Sequence, residues 1–283
     1  MTKGLWKYTP IITMFPAIAI GTTAMFLSGV SVSIYIQNII CFIVLSLCNI
    51  FFLKRNNFLN RLNPIILIIV CIVALLFTFI DPGIEGVHRW IVLGPISLYI
   101  AVIVLPVFFI NVCRLLEKEK TLFLVIAIIF VSIILTLQPD ASIMTAFSVT
   151  CILFLWKKIK KIYWLLLMLF LCSLTTFTWV FLDSLAPVEY VEGIFQLVSD
   201  MGIIWLLLGV VSFAIMIAPF FIFPTHENKR LSICFGMYFS TILITTLFGN
   251  FPVPLMGYGI SPIIGYYILI IWFTRTRLYS RKP

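Results

Sequence analysis

The sequence predicts an all-α integral membrane protein of about ten transmembrane helices with both termini in the cytoplasm. Three observations carry that expectation. Hydrophobic residues make up 63% of the chain and charged residues 10%, with a mean hydropathy of +1.19, far from the composition of a soluble domain. Apolar runs of near-spanning length follow one another with short polar connections. In hydrocarbon each run can satisfy its own N–H and C=O groups only as a helix. Finally, basic residues gather at alternate connections and acidic residues at the others, the pattern that orients a polytopic chain.

The expected elements run as follows. Lys3, Trp6, Lys7 and Tyr8 form an interface anchor before a helix over Ile11–Leu27, read as a retained span because no small-residue cleavage site follows it. A Ser28-Gly29 turn leads to a helix over Val32–Leu53, and Lys54 to Arg61 return to the cytoplasm. Pro64–Ile80 is the third helix and Ile96–Val112 the fourth, separated by the loop Asp81 to Gly94. Thr121–Leu137 and Ala141–Trp156 flank the turn Gln138-Pro139-Asp140. Lys157 to Lys161 then precede a helix over Ile162–Phe181. The eighth expected helix starts near Gly193 and reaches Phe223, with a break around Asp200-Met201-Gly202. Leu231–Phe248 and Ile260–Phe273 complete the set, joined by a turn rich in proline and glycine over residues 249–259.

Charge sorts cleanly on this scheme. Arg89 is the single Lys or Arg on the external side, while Asp81, Glu85, Asp140, Asp183, Glu189, Glu192 and Asp200 fall on or near that side. One missed span would invert everything after it and destroy the sorting. The net charge of +9 therefore reads as orientation and contact with anionic headgroups, and nucleic acid is excluded as a partner. The seven cysteines (Cys41, Cys48, Cys71, Cys113, Cys151, Cys172, Cys234) lie in apolar runs with no CxxC pair, so they are expected to be buried small hydrophobes. No linker or repeat interrupts the chain, which reads as a single polytopic membrane domain over 1–283.

The external face collects the chemistry. It carries the Arg89 loop, the Pro139-Asp140 turn, the Glu189/Glu192 segment and the Pro/Gly-rich turn before the last helix. A lone cation on the disfavoured side needs an anionic partner or a headgroup to snorkel to beside Trp90. Asp140 after Pro139 suits an N-cap. Glu192 suits either a helix-dipole partner or a base.

In these four places the chain resembles the SEDS family (FtsW, RodA, SpoVE), ten-helix polymerases that build glycan strands from lipid II. Gly86-x-x-Arg89-Trp90-Ile91-x-x-Gly94 is similar to that family's GAxRWIxxG segment. Leu137-Gln138-Pro139-Asp140 resembles its LQPDLGT turn, and residues 187–195 (PVEYVEGIF) resemble its PEAHTDFIF segment. Asp200-Met201-Gly202 stands near its EELG, and Pro252-x-Pro254-Leu255-x-x-Tyr258-Gly259-x-Ser261 is similar to its PLPFxSYGGS turn. The chain departs from the pattern at defined points. Glu192 stands where the family has its catalytic aspartate, Tyr99-Ile100-Ala101-Val102 replaces the QPSExxK segment, and the loop before the eighth helix is short.

The resemblance implies a multi-pass protein of the bacterial cytoplasmic membrane that handles lipid II, or another undecaprenyl-linked substrate, in growth, division or sporulation. By the same resemblance Glu192 is the catalytic base of a peptidoglycan glycosyltransferase, and Glu189 a second candidate carboxylate. Arg89, Trp90, Asp140, Glu189, Tyr258 and Ser261 would bind substrate, Arg89 as a guanidinium clamp on the pyrophosphate. A divalent cation and a class B penicillin-binding protein partner are implied too. Two other readings stay open: a non-catalytic relative that binds lipid-linked precursor or a penicillin-binding protein and regulates wall synthesis, and a lipid-linked precursor transporter.

Overall fold

The computed structural model describes residues 3–54, 62–94, 96–181, 185–226 and 228–279. Arg55, Arg61, Asp183, Arg281 and Lys282, which enter the charge sorting, lie outside them. The described residues are overwhelmingly helical. The elements are α1 (Lys3–Trp6), α2 (Thr9–Leu27), α3 (Val32–Lys54), α4 (Pro64–Phe77), β1 (Trp90–Leu93), β2 (Ile96–Tyr99), α5 (Ile100–Leu116), α6 (Thr121–Leu137) and α7 (Ala141–Leu155). They continue with α8 (Lys161–Val180), α9 (Ile194–Asp200), α10 (Ile203–Ile222), α11 (Lys229–Thr245) and α12 (Ile260–Tyr279).

Each apolar run expected to be helical contains a helix, and local chemistry explains some of the ends. Asn63 caps α4 by accepting from the Ile65 N–H at 3.0 Å, with Pro64 in the first turn where its missing N–H is harmless. The break expected near residue 200 separates α9 from α10. Gly202 sits there at φ +110°, a conformation that a side chain would strain. Four helices (α2, α3, α8, α10) are long and apolar enough to cross a membrane, and α4, α5, α6 and α7 are shorter apolar helices.

The fourth expected helix needs correction. It begins at Ile100 and not at Ile96, because residues 96–99 pair with 90–93 as an antiparallel hairpin. The physical reason is legible afterwards: Trp90-Ile91-Val92-Leu93 is aromatic and β-branched, and Gly94 follows it at φ +62°. The last helix also runs further than expected, to Tyr279.

The chain divides into two compact units. One comprises 1–56, 186–236 and 243–283; within it α2 packs on α3 and α10, and α3 on α12. Its interior includes Phe220, Phe235, Tyr266 and Phe273, and the Tyr266 hydroxyl donates to the Met216 carbonyl at 2.8 Å. The other comprises 57–185 and 237–242; within it α4 packs on α5, and α6, α7 and α8 pack on one another. Phe109 lies 5.7 Å from Phe147 and 5.4 Å from Tyr238 between ring centroids. Lipid tails are as apolar as these side chains, so close van der Waals fit is what holds such helices together. The outward faces of α3 and α8 are exposed apolar surface, as a lipid-facing helix requires. No disulfide joins the cysteines; Cys71, Cys151 and Cys234 are buried as expected, whereas Cys41, Cys48 and Cys113 are half-buried and Cys172 is exposed.

Candidate functional site

In the second unit the polar loop after α4 closes on itself before it reaches β1. The Asp81 carboxylate accepts from the Gly83 N–H at 3.0 Å and from the Val92 N–H at 3.1 Å. These two amides, with a smaller contribution from His88, hold its carboxyl below the usual carboxylate range. His88 lies 5.6 Å from the Phe79 ring, and its Nδ1 is 3.0 Å from the Asp81 carbonyl oxygen. Because the folded pKa is depressed, the contribution of this carboxylate to loop stability is complete above the unfolded value of about 3.9. It is lost as pH falls through the lower folded value. Asp81→Asn at neutral pH is expected to lower the protection of the Gly83 and Val92 amides relative to their intrinsic exchange rates, and acid is expected to lower that protection in the wild type. Unchanged protection of Val92 in the variant would show that the carboxylate does not hold the loop.

Arg89 leaves this loop pointing inward. It is buried, at 3% exposure, where the sequence suggested an external clamp on phosphate. Its Nε donates to the Gln138 carbonyl at 3.4 Å, one Nη donates to the Pro139 carbonyl, and Nε lies 3.9 Å from an Asp140 oxygen. A buried guanidinium requires an anionic partner, and Asp140, also buried, at 1% exposure, supplies it. Asp140 caps α7, its Oδ1 accepting from the Ile143 N–H at 3.1 Å, and its Oδ2 accepts from the Tyr99 hydroxyl. Gln138 is anchored in turn: its Nε2 donates to the Thr78 hydroxyl at 2.8 Å and to the Leu75 carbonyl at 3.4 Å. Trp90 stands 5.9 Å from the Arg89 guanidinium. Arg89, Trp90 and Asp140 are therefore one cluster. Tyr99, Gln138 and Thr78 complete it, residues that the sequence alone does not mark as functional.

In the first unit the acidic segment forms a turn ahead of α9. Glu192 precedes the N-cap residue Gly193, and its Oε2 accepts from the Val188 N–H at 2.9 Å. Glu189 is exposed and Glu192 half-buried. The backbone beside Glu192 is laced to the turn before α12: the Tyr258 N–H donates to the Tyr190 carbonyl at 2.8 Å, and the Val253 N–H donates to the Val191 carbonyl at 3.4 Å. Asn38 is buried in α3 and supports the far side, donating to the Gly257 carbonyl and accepting from the Gly259 N–H, each at 3.0 Å. The Tyr258 hydroxyl donates to Gln37 Oε1 at 3.1 Å. Ser261 is buried in the first turn of α12, where its side chain faces the interior of the unit. Gln37 and Asn38 have one available signal, adjacent amides in a largely apolar helix.

Among the described residues no three His, Cys, Asp or Glu side chains are grouped to hold a metal ion. Asp140 spends its oxygens on the α7 cap, Tyr99 and Arg89, so this turn does not fit the divalent cation that the family resemblance implies.

These features define a helical membrane protein whose buried ion pair and acidic segment sit in loops and turns at helix ends. No protein-family model matches the chain, and no curated protein matches it. Its fold is that of the rod shape determining protein RodA of Thermus thermophilus, a SEDS protein. The TM-score is 0.74 to a mutant of that protein, at 14% identity over 95% of this chain and 97% of that one. It is 0.72 to the form without the mutation, at 15% identity over the same shares.

Proposed function

We propose that this chain is a cell-envelope protein of the bacterial cytoplasmic membrane that handles lipid II, or a related undecaprenyl-linked precursor, in peptidoglycan synthesis. Both termini are cytoplasmic in this reading, and a class B penicillin-binding protein is the implied partner. The observation that supports it is the RodA-like fold along 95% of the chain. The four family-like sequence patches fall at loops and helix ends of that fold. In the polymerase form of the proposal, Glu192 takes the proton from the acceptor sugar's 4-hydroxyl. The alkoxide oxygen bonds to the donor's anomeric carbon, and the bond to the undecaprenyl pyrophosphate breaks as that group leaves with the electron pair. Arg89 shapes the Gln138–Asp140 turn in this scheme.

The test is lipid II polymerisation by the purified protein, alone and with a candidate transpeptidase, beside Glu192→Gln. Glutamine keeps an acceptor for the Val188 N–H but cannot take a proton. The expected loss is roughly 10²–10⁴-fold with unchanged melting. Equal glycan synthesis by both forms would remove Glu192 as the base. A second reading, a non-catalytic relative that binds precursor and regulates wall synthesis, is favoured by one specific feature: the Glu192 carboxylate is held by the backbone of its own turn. Bound lipid II with no glycan product, with and without the partner, is its expected signature.

A further inference from the structure

A groove of about 820 Å³ opens between α6 and α8, entirely within the second unit. That volume is in the range of sites that take a sizeable small molecule. Its walls are apolar, built from Val125 and Ile129 of α6 and Leu166 and Phe170 of α8. Its mouth is different. Lys158 and Lys160 line it beside Thr121, the first residue of α6, and no acidic side chain belongs to the lining. Both helices begin at this mouth without a side-chain cap and with no acid in the first turn. Their orphan N–H groups and partial positive charges therefore add to the two ammonium groups.

The same end of the unit carries an aromatic pair. Trp156 and Trp164 meet edge to face at 4.7 Å, and the Trp164 indole N–H donates to the Ile152 carbonyl at 3.0 Å. Tyr163, 59% exposed, stands beside them in sequence and lines the groove. Paired tryptophans and an exposed tyrosine next to lysines mark the level where acyl chains give way to headgroups. A cationic mouth over an apolar slot at that level is complementary to one chemistry, an anionic headgroup on long acyl chains.

We propose that the α6–α8 groove binds an anionic phospholipid, its phosphate held by Lys158, Lys160 and the first turns of α6 and α8, its chains lying along Val125, Ile129, Leu166 and Phe170. The occupant is a bulk phospholipid and not the undecaprenyl-linked precursor, because the mouth and the Gln138–Asp140 turn lie at opposite ends of α6. Seventeen residues at 1.5 Å rise put them about 25 Å apart. The exclusion of the precursor rests on the proposed function, which sets the Gln138–Asp140 turn at the substrate's end of α6, whereas the cationic mouth and apolar slot stand without it.

The experiment uses the full chain purified in a zwitterionic detergent and offered equal amounts of phosphatidylglycerol and phosphatidylcholine, with retained lipid counted by native mass spectrometry. Wild type is expected to retain phosphatidylglycerol over phosphatidylcholine by on the order of tenfold. Lys158→Gln with Lys160→Gln is expected to abolish the preference, whereas Lys157→Gln with Lys161→Gln, outside the lining, keeps most of it. Val125→Trp, which fills the slot and leaves the charges, is expected to lower retention of both lipids. No preference in the wild type, or a preference untouched by both the lysine pair and Val125→Trp, would overturn the proposal. Displacement of phosphatidylglycerol by an equal amount of undecaprenyl phosphate would overturn it too, since the groove would then belong to the carrier lipid.

Discussion

Asp140→Ala is expected to destabilise the protein by on the order of 3–5 kcal/mol, the usual consequence of removing one member of a buried ion pair. The change leaves the Arg89 guanidinium buried without the Asp140 carboxylate, removes an acceptor of the Tyr99 hydroxyl, and uncaps α7 at Ile143. Arg89→Ala is expected to be costly as well, because it leaves the Asp140 carboxylate in a site with 1% exposure and unties the Gln138 and Pro139 carbonyls. The double variant should cost less than the sum of the two, with an interaction of about 0.5–3 kcal/mol. Thermal unfolding of the four forms in one detergent measures the cycle. Additive effects would mean that the two side chains act independently and that the cluster is not a unit. Asp140→Asn separates the roles: it keeps an acceptor for the Ile143 N–H and loses the charge, so it should fall between wild type and alanine.

Gly21→Ala is the second large effect. A Cβ at position 21 would lie 1.9 Å from the Met256 carbonyl oxygen, where ordinary contact begins near 3.4 Å. The obstacle is backbone, in a turn whose residues Phe251, Val253, Leu255 and Met256 are all buried, so no side chain can rotate out of the way. The turn or α2 must move. Overpacking of this kind costs about 1–3 kcal/mol, and here the displaced element carries the Tyr258 N–H bond to Tyr190 and the two Asn38 contacts. Gly21→Ala is therefore expected to lower the melting temperature and to expose the Tyr258 amide to exchange. It should also weaken any activity that depends on the Glu192 segment. A variant that melts like wild type with a protected Tyr258 amide would show that α2 has room to spare at this position.

Much of the candidate site was visible in the sequence as types of residue at particular places. Arg89, Trp90 and Asp140 do converge, and Glu192 and Tyr258 do lie on segments joined through the Tyr190 carbonyl. Their roles were less visible. The sorting of charge marked Arg89 as a cation in need of an anion but could not say that the anion is Asp140. Nor could it separate Ser261, buried in a helix, from Tyr258, half-buried three residues before it.

By itself the sequence determined the helical membrane class, nearly all of the helix positions, the break at Gly202 and the capping of α7 by Asp140. Hydrophobic run length, proline and glycine placement and cap chemistry are all properties of a few neighbouring residues, so they survive without a fold. Only the tertiary structure decided that Arg89 turns inward, that Gln37 and Asn38 support the turn before α12, and that α2 needs a glycine against Met256. Each of the side-chain hydrogen bonds involved joins residues 49 to 221 positions apart. Contacts over such separations leave no periodicity or local composition to read, because their energy depends on which surfaces meet when the chain has folded.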